Sequence, residues 1–155
     1  MQGLVWILNI FFRKIDTVCC LYGKLKELMN ENGYKASVAV APKTSAEQKG
    51  LLYEGMDYRL LGENADSVFL MTYEWGYTYG PPMAVAPINK VREVVEYAVT
   101  EIPAQKLVMG IPNYGYDWQL PYERGITRAI TIGNEEAVSI AVENGGFRFS
   151  FQIVL

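Results

Sequence analysis

Residues 66–79 read DSVFLMTYEWGYTY. An apolar run, Val68-Phe69-Leu70-Met71, gives way to a tip that carries Tyr73, Glu74, Trp75, Tyr77 and Tyr79, and Gly80-Pro81-Pro82 then turns the chain. Aromatic faces stack on the C–H faces of pyranose rings, and a carboxylate accepts hydrogen bonds from hydroxyls. These residue types at a strand tip can therefore floor a sugar site. They equally suit a core strand capped by a packed loop, and residue types alone do not separate the two.

Other chemistries are excluded more firmly. The 155 residues contain no histidine, so a Ser-His-Asp or Cys-His centre and a His-ligated metal cannot be assembled within this chain. Cys19 and Cys20 are adjacent and alone, and they form neither a disulfide framework nor a zinc site. Half of the residues are apolar, a fifth are charged and the net charge is −3, which describes a mildly acidic globular chain. No basic stripe argues for nucleic acid. The apolar run Leu4–Phe12 is too short to span a bilayer and has no basic region before it, so it reads as neither a membrane span nor a signal peptide.

The elements that must position the aromatic tip alternate. Leu4–Phe12, Ala36–Ala41, Ser67–Thr72 and Lys106–Ile111 read as buried strands, two of them stopped by Pro42 and Pro112. Between them lie helical spacings. Residues 21–32 place Leu21, Leu25, Leu28 and Met29 on one face, with Gly33 at the C-cap. A short helix is expected over Tyr53–Gly62. A longer one runs from Pro87 to about Glu101, with Val91, Val94, Val95 and Ala98 inward. A last helix is expected over Asn134–Asn144, after a Tyr/Trp/Gly-rich loop. Four βα repeats predict an α/β fold with parallel strands and right-handed crossovers. In such folds the functional loops follow the strand C-termini, here Pro42–Gly50, Tyr73–Ala86 and Pro112–Gly133.

At MTYEWGYTYGPPMAVAPINKVREVVEYA and KLVMGIPNYGYDW the chain resembles glycoside hydrolase family 18, and most of all its spore-germination branch, which acts on cortex peptidoglycan fragments. The resemblance covers about Tyr22–Asn144. It implies a partial (β/α)8 TIM barrel holding roughly strands four to seven with their helices, a single partial catalytic domain over residues 1–155. The first three strands and the eighth, with its usual tryptophan, are not matched. It also implies β-1,4-linked N-acetylglucosamine substrates in peptidoglycan or chitin-like polymers, cleaved with retention. The substrate's own acetamido oxygen attacks the anomeric carbon while one Glu protonates the leaving oxygen. By the Met-x-Tyr motif, Met71 and Tyr73 fall on the sixth strand, and the Tyr73 hydroxyl would bind the acetamido oxygen as the catalytic residue present. Glu74 falls where many members have Asp or Asn on the sugar amide. Trp75, Tyr114 and Trp118 would bind substrate, Tyr114 and Trp118 along the sugar subsites. Loop packing is the competing role for Tyr114 and Trp118, and core for Met71. No cofactor, metal, nucleic acid or membrane partner is implied, and the location would be the spore or cell wall of a spore-forming bacterium.

The family's fourth strand ends in D-x-x-D-x-D-x-E, Asp-Phe-Glu-Tyr in this branch, and residues 4–20, LVWILNIFFRKIDTVCC, hold no carboxylate before Asp16. The genetic code offers a reason. The single codon of Trp6 ends in G. Ile7–Ile15 can be written ATT TTG AAT ATA TTT TTC CGG AAA ATC. Read from that G, the bases give Asp-Phe-Glu-Tyr-Ile-Phe-Pro-Glu-Asn. We read residues 1–20 as a one-nucleotide frame slip, with the family frame restored near Leu21 or Tyr22 and residues 145–155 unmatched. Leu8 or Asn9 then stands where the acid Glu belongs, and neither can donate the proton. The chain is expected to be inactive; the alternative role is a non-catalytic binder of N-acetyl sugars. Half a barrel leaves strand edges open, which predicts non-specific self-association.

Overall fold

In the computed structural model, Leu4–Trp6 and residues 15–145 are described, with side-chain detail from Leu21 onward. Leu8 and Asn9, the rest of the expected first strand beyond Trp6, and residues 146–155 lie outside the described residues. The chain divides into two compact units, residues 1–72 with 92–110 and residues 73–91 with 111–155.

The first unit is built on a four-stranded sheet of β1 (Leu4–Trp6), β2 (Ala36–Val40), β3 (Ser67–Leu70) and β4 (Leu107–Met109), in that spatial order. All neighbours are parallel; Val38 lies opposite both Trp6 and Val68, and Leu70 lies opposite Met109. α1 (Ile15–Glu31), α2 (Tyr58–Asn64) and α3 (Ile88–Glu101) occupy the three crossovers. This is the βα alternation expected from the continuous apolar runs. The central strands carry most of the buried apolar side chains: Ala36, Val38, Ala39, Val40, Val68 and Leu70 are all buried.

Local chemistry sets the helix ends. Gly33 adopts φ +79, its N–H bonds to the Asn30 carbonyl at 3.0 Å, and the N–H of Tyr34 bonds to the Met29 carbonyl at 2.9 Å, a Schellman ending that only a residue without Cβ adopts cheaply. The Asp57 carboxylate accepts from the Leu60 N–H at 3.0 Å and caps α2. At the other end of α2, the Lys106 ammonium donates to the Gly62 and Ala65 carbonyls at 2.6 and 3.0 Å. Gly62 leaves no spare room, since a Cβ there would sit 3.0 Å from Ile102.

Two expectations need correction. The inward face of α1 carries the buried Tyr22, while Leu21 and Leu28 are exposed at 63% and 58%. The apolar spacing was right, but the Tyr22 hydroxyl finds the Ser37 carbonyl and turns the helix by one residue. α2 begins at Tyr58, not Tyr53, because residues 51–55 form turns and Asp57 supplies the first cap. In α3 the inward face is as expected, with Val94 and Ala98 fully buried.

The second unit contains an antiparallel pair where a long loop was expected. β5 (Tyr114–Asp117) and β6 (Ile130–Gly133) pair with Tyr114 opposite Gly133 and Asp117 opposite Ile130. α4 (Asn134–Glu143) follows β6 directly, with Glu135 and Glu136 in its first turn, where acidic side chains favour the helix dipole.

Candidate functional site

Five of the residues singled out from the sequence, Tyr73, Glu74, Trp75, Tyr114 and Trp118, fall in the second unit. The loop that carries the first three is fixed by its own backbone. The N–H groups of Trp75 and Gly76 bond to the carbonyls of Val85 and Ala84, both at 3.1 Å, and the Gly80 N–H closes a turn on the Tyr77 carbonyl at 3.0 Å. Gly76 is required there, because a Cβ would lie 2.1 Å from the Met83 carbonyl oxygen. The loop is also tied to residue 129, whose N–H bonds to the Thr78 carbonyl at 2.9 Å. Within this frame Glu74 takes φ 70, a left-handed conformation that a non-glycine residue adopts only where its surroundings impose it.

Strand alternation on β5 sends Tyr114 and Tyr116 to one face, and Trp118 continues it. Tyr114 and Tyr116 meet edge to face with ring centroids 5.9 Å apart, and Tyr116 and Trp118 are tilted at the same separation. The hydroxyls of both tyrosines donate to Oε1 of Glu74, that of Tyr116 at 2.9 Å. Burial and the Glu74 hydrogen bond raise the pKa of both phenols, since ionisation would place a second negative charge beside the carboxylate; Tyr73 adds to the rise at Tyr114. The Trp118 indole N–H donates to the Gly80 carbonyl at 2.9 Å. Arg128 lies over the Tyr79 ring at 5.2 Å.

The cluster brings together Glu74, Tyr114 and Trp118, with Tyr73 close enough to influence Tyr114. Trp75 is half-buried beside them in sequence. Since the polar atoms of Tyr114 and Trp118 are committed inside the cluster, what these residues can offer a ligand is ring surface. Glu74 is exposed and presents a carboxylate. Tyr116 was missed from the sequence. Its signal was the spacing Tyr114, Tyr116, Trp118, aromatic at every second position, which is strand periodicity. Met71 lies in the first unit, where its N–H bonds to the Val40 carbonyl at 3.1 Å.

The first unit has a cavity of about 370 Å³, lined by Lys43, Asp57, Arg59, Tyr97 and Glu101 among others. Lys43 is only 3% exposed and donates to the Met56 and Ala46 carbonyls at 2.7 and 3.1 Å, while Arg59 pairs with Glu101 at 3.1 Å. Burial lowers the Lys43 pKa, and Asp57 and Glu101 oppose that. These charges are satisfied by their neighbours, as a packed helix–loop junction requires.

Parallel strands joined by helical crossovers define an α/β chain, and an aromatic-carboxylate loop follows its third described strand. The model of the glycosyl hydrolases family 18 matches residues 10–146, and the chain belongs to that family. It is 55% identical over 119 residues to the cortical fragment-lytic enzyme of Bacillus subtilis strain 168, and 44% identical over 121 residues to that of Bacillus anthracis. Each match covers 77% of this chain and 28% of the relative, so the chain spans under a third of their length. Among solved structures, the spore cortex-lytic enzyme SleL of Bacillus megaterium QM B1551 superposes with a TM-score of 0.86 at 40% identity, over 97% of this chain and 34% of that one. The fold is thus α/β and covers part of the barrel.

Proposed function

We propose that this chain is a piece of a glycosidase that hydrolyses β-1,4-linked N-acetylglucosamine bonds in peptidoglycan or chitin-like substrates by substrate-assisted, retaining chemistry, and that the chain as written does not cleave them. In that chemistry the acetamido oxygen of the substrate forms a bond to the anomeric carbon as the glycosidic bond breaks. The departing oxygen must receive a proton. The Tyr73 hydroxyl would hold the acetamido oxygen. The donor would be a Glu at the place of Leu8 or Asn9, and residues 4–15 contain no carboxylic acid at all. Glu74 and Asp117 are exposed and could contact sugar hydroxyls. The frame slip over residues 1–20 belongs to the same proposal, and the names of the cortex-lytic relatives support a spore or cell-wall substrate.

A second reading, retention of N-acetyl-sugar binding without cleavage, is favoured by one observation. Glu74 is held at φ 70 with two phenols on one of its oxygens, and one of these, Tyr116, packs against the half-buried Trp118 ring. A cluster that exists only to pack a loop has no need of an exposed carboxylate in a strained conformation. Calorimetric titration of the chain with N-acetylglucosamine tetramer, against cellotetraose, tests it. Saturable heat with the first ligand alone supports binding, and the absence of heat with both leaves only the damaged fragment.

A further inference from the structure

We infer that Tyr114 and Tyr116 are positioning residues that together clamp Oε1 of Glu74 and leave Oε2 as the acceptor for a ligand N–H or O–H. The inference rests on the sugar-binding reading and deepens it by saying which atom recognises the sugar and what holds that atom. Both phenols reach the same carboxylate oxygen, and among the described residues no hydrogen bond reaches the other. The two tyrosines come from alternate positions of one strand, so a single rigid element carries both donors. Their edge-to-face contact, and that of Tyr116 with Trp118, fixes the ring planes. On the Glu74 side the backbone is pinned by the Trp75 and Gly76 hydrogen bonds.

The arrangement has a chemical consequence. A freely rotating carboxylate offers its lone pairs in any direction, and ordering it costs side-chain entropy on binding. With Oε1 saturated, Glu74 is held in advance and only Oε2 remains. A site of this kind selects hydrogen-bond donors, the acetamido N–H and ring hydroxyls of an N-acetyl sugar, and rejects acceptors and anions by repulsion.

Three single variants of the chain, Tyr116→Phe, Tyr114→Phe and Glu74→Gln, test the inference by two readouts. The first is affinity for N-acetylglucosamine tetramer. Gln can still accept both phenols on its Oε1, so the cluster persists, yet it presents an NH2 where Oε2 was. Glu74→Gln should therefore weaken binding by about tenfold or more, while each Phe variant weakens it by about three- to tenfold, the scale of a typical net hydrogen bond. A carboxylate serving only structure would tolerate Gln without loss. The second readout needs no ligand: carbon-13 NMR of Cζ-labelled tyrosine followed through alkaline titration. Two phenols, assigned by their loss in the Phe variants, should titrate above the ordinary tyrosine range and fall back toward it in Glu74→Gln. Unchanged affinity in all three variants overturns the inference, as do two ordinary phenols in the unaltered chain. If the unaltered chain binds no sugar, the sugar-binding reading fails instead, and the phenol titration still decides whether the clamp exists.

Discussion

Tyr116 donates its phenol hydrogen to Oε1 of Glu74 at 2.9 Å, across 42 residues of sequence. The bond links a strand to a loop in which Glu74 sits at φ 70. The orientation of the Glu74 carboxylate thus depends on the strand that carries Tyr116 as well as on the loop that carries Glu74.

That geometry hinges on Gly76. Gly76→Ala would drive a methyl to within 2.1 Å of a backbone oxygen, which no rotamer change relieves. We predict a cost above about 2 kcal/mol, in line with strain at special backbone positions. Loop opening should be read as a red shift of tryptophan emission, since Trp75 and Trp118 are both held by this segment. Unchanged emission and stability would show that the loop is not locked.

Tyr22 makes the first unit sensitive to alkali. Its hydroxyl is buried and bonded to the Ser37 carbonyl, and burial together with Asp66 pushes its pKa from 10.0 up to about 12. The folded pKa lies above the unfolded one, so the neutral phenol's contribution is complete below about pH 10 and is lost as pH rises through about 12. Denaturant titrations at pH 8, 10 and 12 should show stability falling over the last interval, and falling less in Tyr22→Phe. An equal fall in both proteins would contradict the assignment.

Lys106 secures the end of α2. Lys106→Met keeps the aliphatic stem but removes two hydrogen bonds to carbonyls at the helix C-terminus, and should cost about 1–3 kcal/mol in chemical denaturation. A loss within 0.5 kcal/mol, the range of ordinary surface changes, would count against it.

Much of this fold was legible because buried parallel strands are predominantly apolar, as Ala36–Val40 is apart from Ser37, and because Gly33 carries unambiguous cap chemistry; the cap at Asp57 was not read from the sequence. The short pair β5–β6 was not legible. Gly115 and Asp117 separate its aromatics, so the segment resembles a turn-rich loop, and its stability comes from long-range pairing with residues 130–133. Tyr116 was hidden for the same reason. The inward face of α1 was misjudged by one residue because Tyr22 carries a polar tip that only the folded sheet satisfies. Glu74, Tyr114 and Trp118 were legible as candidates through their motifs, whereas the left-handed backbone at Glu74 has no signature in sequence.

Among the described residues the outer strand β4 pairs on one side only, with β3, and Val108 and Met109 are exposed at 46% and 44%. Open edges recruit further strands. Sedimentation velocity should find species larger than the 17.5 kDa monomer, and Val108→Lys should shift them toward it. A single monomeric boundary for the unaltered chain would refute this expectation.

The proposed inactivity of the chain turns on the absence of the acid needed to expel the leaving sugar. The most direct measurement is release of new reducing ends from N-acetylglucosamine tetramer and from cortex muropeptides, with purified chain at high concentration and long incubation. The expected rate is indistinguishable from the blank. Release above the blank that depends on chain concentration and disappears in Tyr73→Phe would contradict this proposal, since this polypeptide would then hold a proton donor after all.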